Sequence, residues 1–557
     1  MNQTQDSDQV VDGKLTTKMK HTLNLTSLLA KGVFILLIMA VAFPAIAMAD
    51  QPADPTGTNT DYSSYVTSST PGTAPSLADV ASATGHNTVA INIMWTLFAG
   101  FLVMFMQAGF AMVETGFVRV KNVAHTMAMN LLVYPLGMLG FFITGFAIMF
   151  GGIGPLATLG GYTGLNNEFS INLLGHQFGL FGMTGFGLIG TYDVGVFTLF
   201  LFQMVFMDTT ATIPTGALAE RWKFFSFCIM GFMIGAVIYP IFGNWVWGGG
   251  WLAQLGVNFG LGHGHVDFAG SSVVHMTGGM IGLVGAWLIG PRIGKYNKDG
   301  SVNAIPGHSI PMAIIGTFIL AFGWFGFNAG STMAGGDLRI AIVATNTMLA
   351  SATGAVMSVA WMWGVRSKKP DPGMACNGML AGLVAITAPC AFVNQISASI
   401  IGLVSGILVV EAVFFVERKL KIDDPVGAVS VHLVNGAWGC LALGLFADGS
   451  YGFGWNGVPG AVTGLFYGQP LQFAAQFIGV ATNFIVVGGL AFITYKLINL
   501  ITPMRVSPEV EIGGLDVPEM GCPGYVGDIP ETGMHKSPEP VHMHEPVAVE
   551  AKSEGAT

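Results

Sequence analysis

DFAGSSVVHMTGGMIGLVGAWLIGPR, Asp267 to Arg292, decides how the chain is read. It opens on a carboxylate and closes in a basic turn, with more than 20 uncharged residues and one histidine between them. That is enough for about 30 Å of helix at 1.5 Å per residue, the thickness of a bilayer core. Asp267, Ser271 and His275 recur at intervals of four, which puts all three on one face of a continuous helix. Gly278, Gly282, Ala286 and Gly290 form a small-residue ladder suited to close helix packing. A polar stripe beside such a ladder belongs in the wall of a pathway rather than in lipid.

A second stretch echoes the first. VHLVNGAWG from Val431 and VHMTGGMIG from Val274 share the pattern V-H-x-x-x-G-x-x-G, so His275 and His432 each have glycine at +4 and +7. A weaker echo links QAGF at Gln107 with NAGS at Asn328. Internal repeats are common in transporters, whose sites lie at the repeat interface near the midplane. A single membrane histidine reads equally well as a packed core residue; two in equivalent positions point to function.

Composition sets the class. Of 557 residues, 52% are hydrophobic and 10% charged, with 78 glycines, which describes an integral membrane protein of tightly packed helices. Cys228, Cys376, Cys390, Cys440 and Cys522 show no metal-ligand spacing and read as small core residues. No phosphate-cradling loop, nucleophile–base pair, metal cluster or basic nucleic-acid motif appears, so neither an enzyme nor a nucleic-acid binder is expected, nor any cofactor.

Along the chain, residues 1–49 read as a signal peptide, with lysines before GVFILLIMAVAF and an A-x-A site at Ala47–Ala49. Residues 50–88 read as a flexible extracytoplasmic leader. Residues 89–500 contain eleven apolar segments, and 501–557 form an acidic, Pro- and Gly-rich tail whose first part can dock on the membrane domain. Fifteen basic residues, from Arg119 to Arg505, fall in alternate loops and at the end of the last segment; the other loops hold only Arg339. This predicts an inner-membrane, multi-pass protein with its N-terminus outside and its C-terminus in the cytoplasm.

Several separate stretches resemble one family: RVKNVAHT at Arg119, FQMVF at Phe202, GALAER at Gly216, VWGGG at Val246, the Asp267–Arg292 block, GWFGFNAGS at Gly323, DDPVGAVSVH at Asp423 and GLDVPEMG near the end. Together they resemble the Amt/Mep/Rh ammonium transporter family, in its bacterial Amt form, from about Trp95 to Pro518. The resemblance implies an all-α integral membrane fold of eleven transmembrane helices, built as two inverted five-helix repeats plus a final helix. It also implies a homotrimer with one pore per subunit, and a PII-type signal protein as a partner at the cytoplasmic face. Carried over by position, Trp247, Phe206 and Ser331 would recruit the cation, Phe206 and Phe327 would gate the pore, His275 and His432 would line it, and Asp267 would be the essential acid. Three positions depart from the pattern: Asp208, Ser271 and Gly427, the last where a carboxylate is often found.

The chemistry suits ammonium. Aromatic faces stabilise a cation by about 0.5–2 kcal/mol, and a hydroxyl that accepts N–H can distinguish ammonium from potassium. An apolar pore beyond them favours neutral ammonia, and imidazoles can relay the proton. Asp267 has two open readings, which can both hold: it attracts the cation, and it accepts backbone N–H groups that shape the vestibule. The function implied is ammonium/ammonia transport; an ammonium sensor with little flux and an Rh-like neutral ammonia channel are the alternatives.

Overall fold

The computed structural model describes residues 76–525. The expected signal peptide, most of the expected leader and the end of the tail lie outside the described residues. The long helices, in chain order, are α1 (Leu77–Phe117), α2 (Val120–Phe150), α3 (Val194–Ala217), α4 (Phe224–Trp247), α5 (Ser271–Ile289), α6 (Ile310–Thr332), α7 (Arg339–Arg366), α8 (Pro372–Ile386), α9 (Gln395–Arg418), α10 (Val429–Phe446) and α11 (Pro470–Ile501). Ten of them are long and apolar enough to cross a membrane; α8, at 15 residues, is the exception. An α-helix of that length is shorter than the ~20 residues a perpendicular crossing takes.

Two boundaries differ from the sequence reading. α1 starts at Leu77, inside the expected leader, because Ser76 and Asp79 cap each other's backbone N–H in a capping box. α5 starts at Ser271 rather than Asp267, so Asp267 precedes the helix and does not share its face. The all-helical membrane domain also carries two hairpins in its loops, β1 (Glu168–Leu173) with β2 (His176–Gly182) and β3 (Asp448–Trp455) with β4 (Val458–Thr463), both antiparallel. β1, EFSINL, alternates polar and apolar residues, whereas β2, β3 and β4 are interrupted by glycine and lack that alternation.

Glycine decides the packing. α1 and α6 run antiparallel with Gly109 against the Gly316 carbonyl and Gly116 against Ser309 and Ala313. On α5, Gly278 rests on the Thr210 carbonyl of α3 and Gly282 on Ala217. The small-residue ladder is therefore a seam to α3.

The basic loops converge on one face. Glu220 receives Arg119 at 2.5 Å and Arg292 at 3.1 Å, and Arg292 also pairs with Asp423 at 2.8 Å. Residues after α11 dock there: Trp222 bridges Arg505, Lys121 donates to the Glu511 carbonyl, the His125 N–H donates to Asp516 and the Phe224 N–H to Glu519. Arg505 pairs with Glu511 and also donates to the Ile289 carbonyl at the end of α5.

Burial alone would raise the Glu220 carboxyl, but Arg292 and Arg119 outweigh it and hold it at about 2. Burial is likewise outweighed at Asp423 by Arg292 and Arg221, which hold it below the usual carboxylate range. A carboxylate depressed in the folded state adds stability above its ordinary pKa of about 4, and that stability disappears as pH falls towards the folded value. The melting temperature of the detergent-purified protein is expected to fall between about pH 5 and 2. Glu220→Gln should lower it at pH 7, where loss of a buried pair costs about 3 kcal/mol or more, and flatten the acid limb. Unchanged melting in Glu220→Gln at both ends of this range would contradict the assignment.

Candidate functional site

The residues singled out from the sequence form a column of rings. Trp247, at the end of α4, meets Phe206 of α3 edge-on at 6.1 Å between centroids. Phe206 stacks on Phe327 of α6 at 4.1 Å. Phe327 stacks on His275 at 5.3 Å, and His275 on His432 at 5.3 Å. Two residues not expected from the sequence join the column: Trp324 stacks on His275 at 5.2 Å, and Phe110 of α1 lies 6.1 Å from His432. Trp324 sits inside the GWFGFNAGS stretch, so its position was visible but not its role.

Elementary polar chemistry orients both ends. The Trp247 indole donates to the Asp267 carbonyl at 2.7 Å, which fixes its plane. Ser331 donates its hydroxyl proton to the Phe327 carbonyl at 2.8 Å, leaving its oxygen lone pairs able to accept. Ser331 is thus tied to the column through Phe327, four residues earlier on the same helix.

The two histidine Nδ1 atoms are 3.2 Å apart. Only one of them can carry the hydrogen between them, so the rings share a single proton in that contact. A reciprocal crossing of α5 and α10 holds them. Gly279 lies against the Leu433 backbone, and Gly436 against the Ser271 carbonyl and Met276. Each +4 glycine of the repeated pattern therefore receives the residue that follows the other helix's histidine.

Each helix also begins in the same way. Asp267 Oδ1 accepts from the Gly270 and Ser271 N–H groups, and Oδ2 from Ser272 N–H, the Ser272 hydroxyl and Val273 N–H. Asp424 accepts from Gly427 N–H at 3.0 Å and Val429 N–H at 2.7 Å. Both acids stand eight residues before their histidine, both are followed at +3 by a glycine with positive φ (Gly270 at +117°, Gly427 at +82°), and both lead into a π-helical turn. The backbone thus accounts for Gly427, since a carboxylate-bearing residue there would be strained. Asp424 was present in the DDPVG stretch, eight before His432, and that spacing was the signal that could have found it.

The remaining departures also have places. Ser271 donates to the Val384 carbonyl and accepts from the Ala388 N–H, so it joins α5 to the end of α8 instead of presenting a hydroxyl beside His275. Asp208 is buried, and its Oδ1 has no partner. Among the described residues one group, His265, Asp267 and Cys440, is spaced for a metal ion. Asp267 is already saturated by N–H and O–H donors, and the Ser272 hydroxyl lies between it and His265, so the donor set does not suit a cation.

The profile of the Ammonium Transporter Family matches residues 94–525. The chain belongs to that family. It is 47% identical over 438 residues to an ammonium transporter, Amt2, of Archaeoglobus fulgidus, covering 78% of this chain and 88% of that protein. Ammonium transporter Amt1 of Haloferax mediterranei is 36% identical over 80% of this chain and 82% of its own length. Among solved structures, a sensor Amt protein is 37% identical with a TM-score of 0.68, over 78% of this chain and 99% of that one. Mep2 of Candida albicans is 25% identical with a TM-score of 0.63, over 75% of this chain and 87% of that one. Members of the Ammonium Transporter Family are membrane transporters rather than enzymes, and the helical architecture described above is the Amt/Mep one.

The crossing predicts a sharp steric response. Gly279→Ala places a methyl against the Leu433 backbone, and Gly436→Ala places one against the Ser271 carbonyl, beside Met276. Overpacking of this kind costs about 1–3 kcal/mol. Either variant should lower the melting temperature of the purified protein, and Gly489→Ala, where a Cβ meets nothing, should not. Equal melting of all three would refute the crossing.

Proposed function

We propose that this protein recruits ammonium at Trp247, Phe206 and Ser331, deprotonates it at the stacked pair Phe206 and Phe327, and passes ammonia along His275 and His432. The observation that carries the proposal is the column of rings ending in two histidines whose Nδ1 atoms are 3.2 Å apart. Phe206 and Phe327 are both fully buried, so the cation must shed its water to pass between them, at a cost of several kcal/mol. Cation–π contact at Trp247 and Phe206 offsets about 0.5–2 kcal/mol of that, and the Ser331 oxygen supplies an acceptor that potassium cannot use as ammonium does. Surrender of the proton removes the remaining penalty for the nitrogen. The proton then moves separately through the imidazole pair, which makes transport electrogenic.

Both readings of Asp267 act together here. Its carboxylate holds the start of α5, and its backbone carbonyl holds Trp247, so its charge lies one residue's breadth from the recruiting indole. In this reading the chain crosses an inner membrane eleven times as two inverted repeats plus α11, with the N-terminus outside, and assembles as a homotrimer. The docked segment after α11 offers the cytoplasmic face to a PII-type signal protein.

An ammonium pulse applied to proteoliposomes should give a sustained current, and the double variant His275→Ala/His432→Ala should lose it. Binding of ammonium with movement of neither charge nor ammonia would reject transport in favour of sensing, the reading that the likeness to a sensor Amt protein supports. Alkalinisation without current would favour a neutral channel of the Rh type. Deleting Arg505 to Thr557 removes the Arg505 bonds to the end of α5 and should change the current or the binding of a PII protein; no change in either would refute a regulatory tail.

A further inference from the structure

Glu114 lies one helical turn beyond Phe110 on α1, and it is buried. Its Oε2 accepts from Asn130 of α2 at 2.7 Å and from the Thr215 hydroxyl of α3 at 2.6 Å. These partners are neutral. Asn130 is joined in turn to Gln107, and Gln107 to Thr212, so a polar seam runs between α1, α2 and α3 behind the column of rings. A carboxyl group kept out of water beside only neutral partners is a costly way to fill a core, and one at membrane depth calls for a role.

A cavity of about 20 Å³ is lined by Glu114, His432, Asn377 and Val426. That is room for about one water, which needs two or more polar partners to reside there. His432 keeps 4% of its surface exposed, whereas His275 is fully enclosed, so of the two rings His432 is the one open to this space. Val426 and Ala428, which also line it, belong to the loop that carries Asp423 and Asp424 on the basic face. Asp424 is the other carboxylate near Glu114, and its oxygens are taken by the Gly427 and Val429 N–H groups. Glu114 is thus the carboxyl group with a path to His432.

We propose that Glu114 is a proton-relay residue, taking the proton from His432 through one water and releasing it towards the basic face. The N–H bond of the His432 imidazolium breaks as the water accepts its proton. The same water gives up a proton to form an O–H bond on Glu114, so the imidazole becomes neutral, the carboxylate becomes a carboxyl group and the water is regenerated. Loss of that proton from Glu114 to solvent resets the site. The inference rests on the proton path proposed above, and it places the exit of that path in a residue outside the ring column.

The test compares the full-length protein with Glu114→Gln and Glu114→Asp in proteoliposomes loaded with a pH indicator and pulsed with ammonium. Glutamine retains an acceptor for Asn130 and Thr215, so a purely structural role survives that change. Glu114→Gln is expected to lower the sustained current tenfold or more while ammonia still alkalinises the lumen, and Glu114→Asp to restore a measurable part of the current. A Glu114→Gln current within twofold of the native one overturns the relay. So does parallel loss of current and alkalinisation, which would mark Glu114 as pore structure. If the native protein itself carries no current, the electrogenic reading fails, whatever Glu114 does, and the relay fails with it.

Discussion

The rest of the structure depends on how closely two helix backbones approach at Gly279 and Gly436. Without a side chain at either position, α5 and α10 cross near van der Waals limits, and the residue after each histidine seats on the other helix's glycine. That crossing, more than any bond between the rings, places the two imidazoles in contact. Each glycine costs a helix about 0.5–1 kcal/mol in backbone freedom, which the packing gained at a buried crossing must offset. A larger residue at either position would part the rings before it altered their surroundings.

Two acids then fix where each helix begins. Asp267 and Asp424 gather the free N–H groups at the starts of α5 and α10, where a helix carries partial positive charge. The arrangement serves electrostatics and geometry at once. A carboxylate that accepts these N–H groups satisfies the donors that the first turn leaves free, and it keeps the helix from unwinding towards the histidine. Of the two compatible readings of Asp267, the structure shows the supporting one: its oxygens accept the N–H groups that begin α5.

Much of this was legible in the chain. His275 and His432 were found by their shared glycine spacing, Phe206, Phe327, Trp247 and Ser331 through family motifs, and the convergence of the basic loops through charge alone. What was not legible depended on backbone shape. The helical period places Asp267 with Ser271 and His275, but Gly270 at positive φ turns the chain and puts the acid ahead of the helix. Phe110 and Glu114 lie in no quoted motif, and Trp324 lies in one without a role assigned to it; the approach of α1 and α6 to the histidines singles all three out. The second hairpin went unseen because its glycine-bearing strands lack a two-residue alternation, whereas the alternation of EFSINL in the first hairpin was there to be read.

The π-helical turns at Ser271–Met276 and Val429–Val434 give this architecture an unusual genetic fragility. Each turn holds one residue more than an α-helix would use, since its hydrogen bonds span five residues rather than four. Removing one codon for a valine there would barely alter hydropathy and would leave the charge and both histidines in place. It would nevertheless swing the residues on one side of the turn by about 100° relative to those on the other. Comparisons between relatives that tolerate a one-residue gap in these turns would then align histidines that do not face the same way.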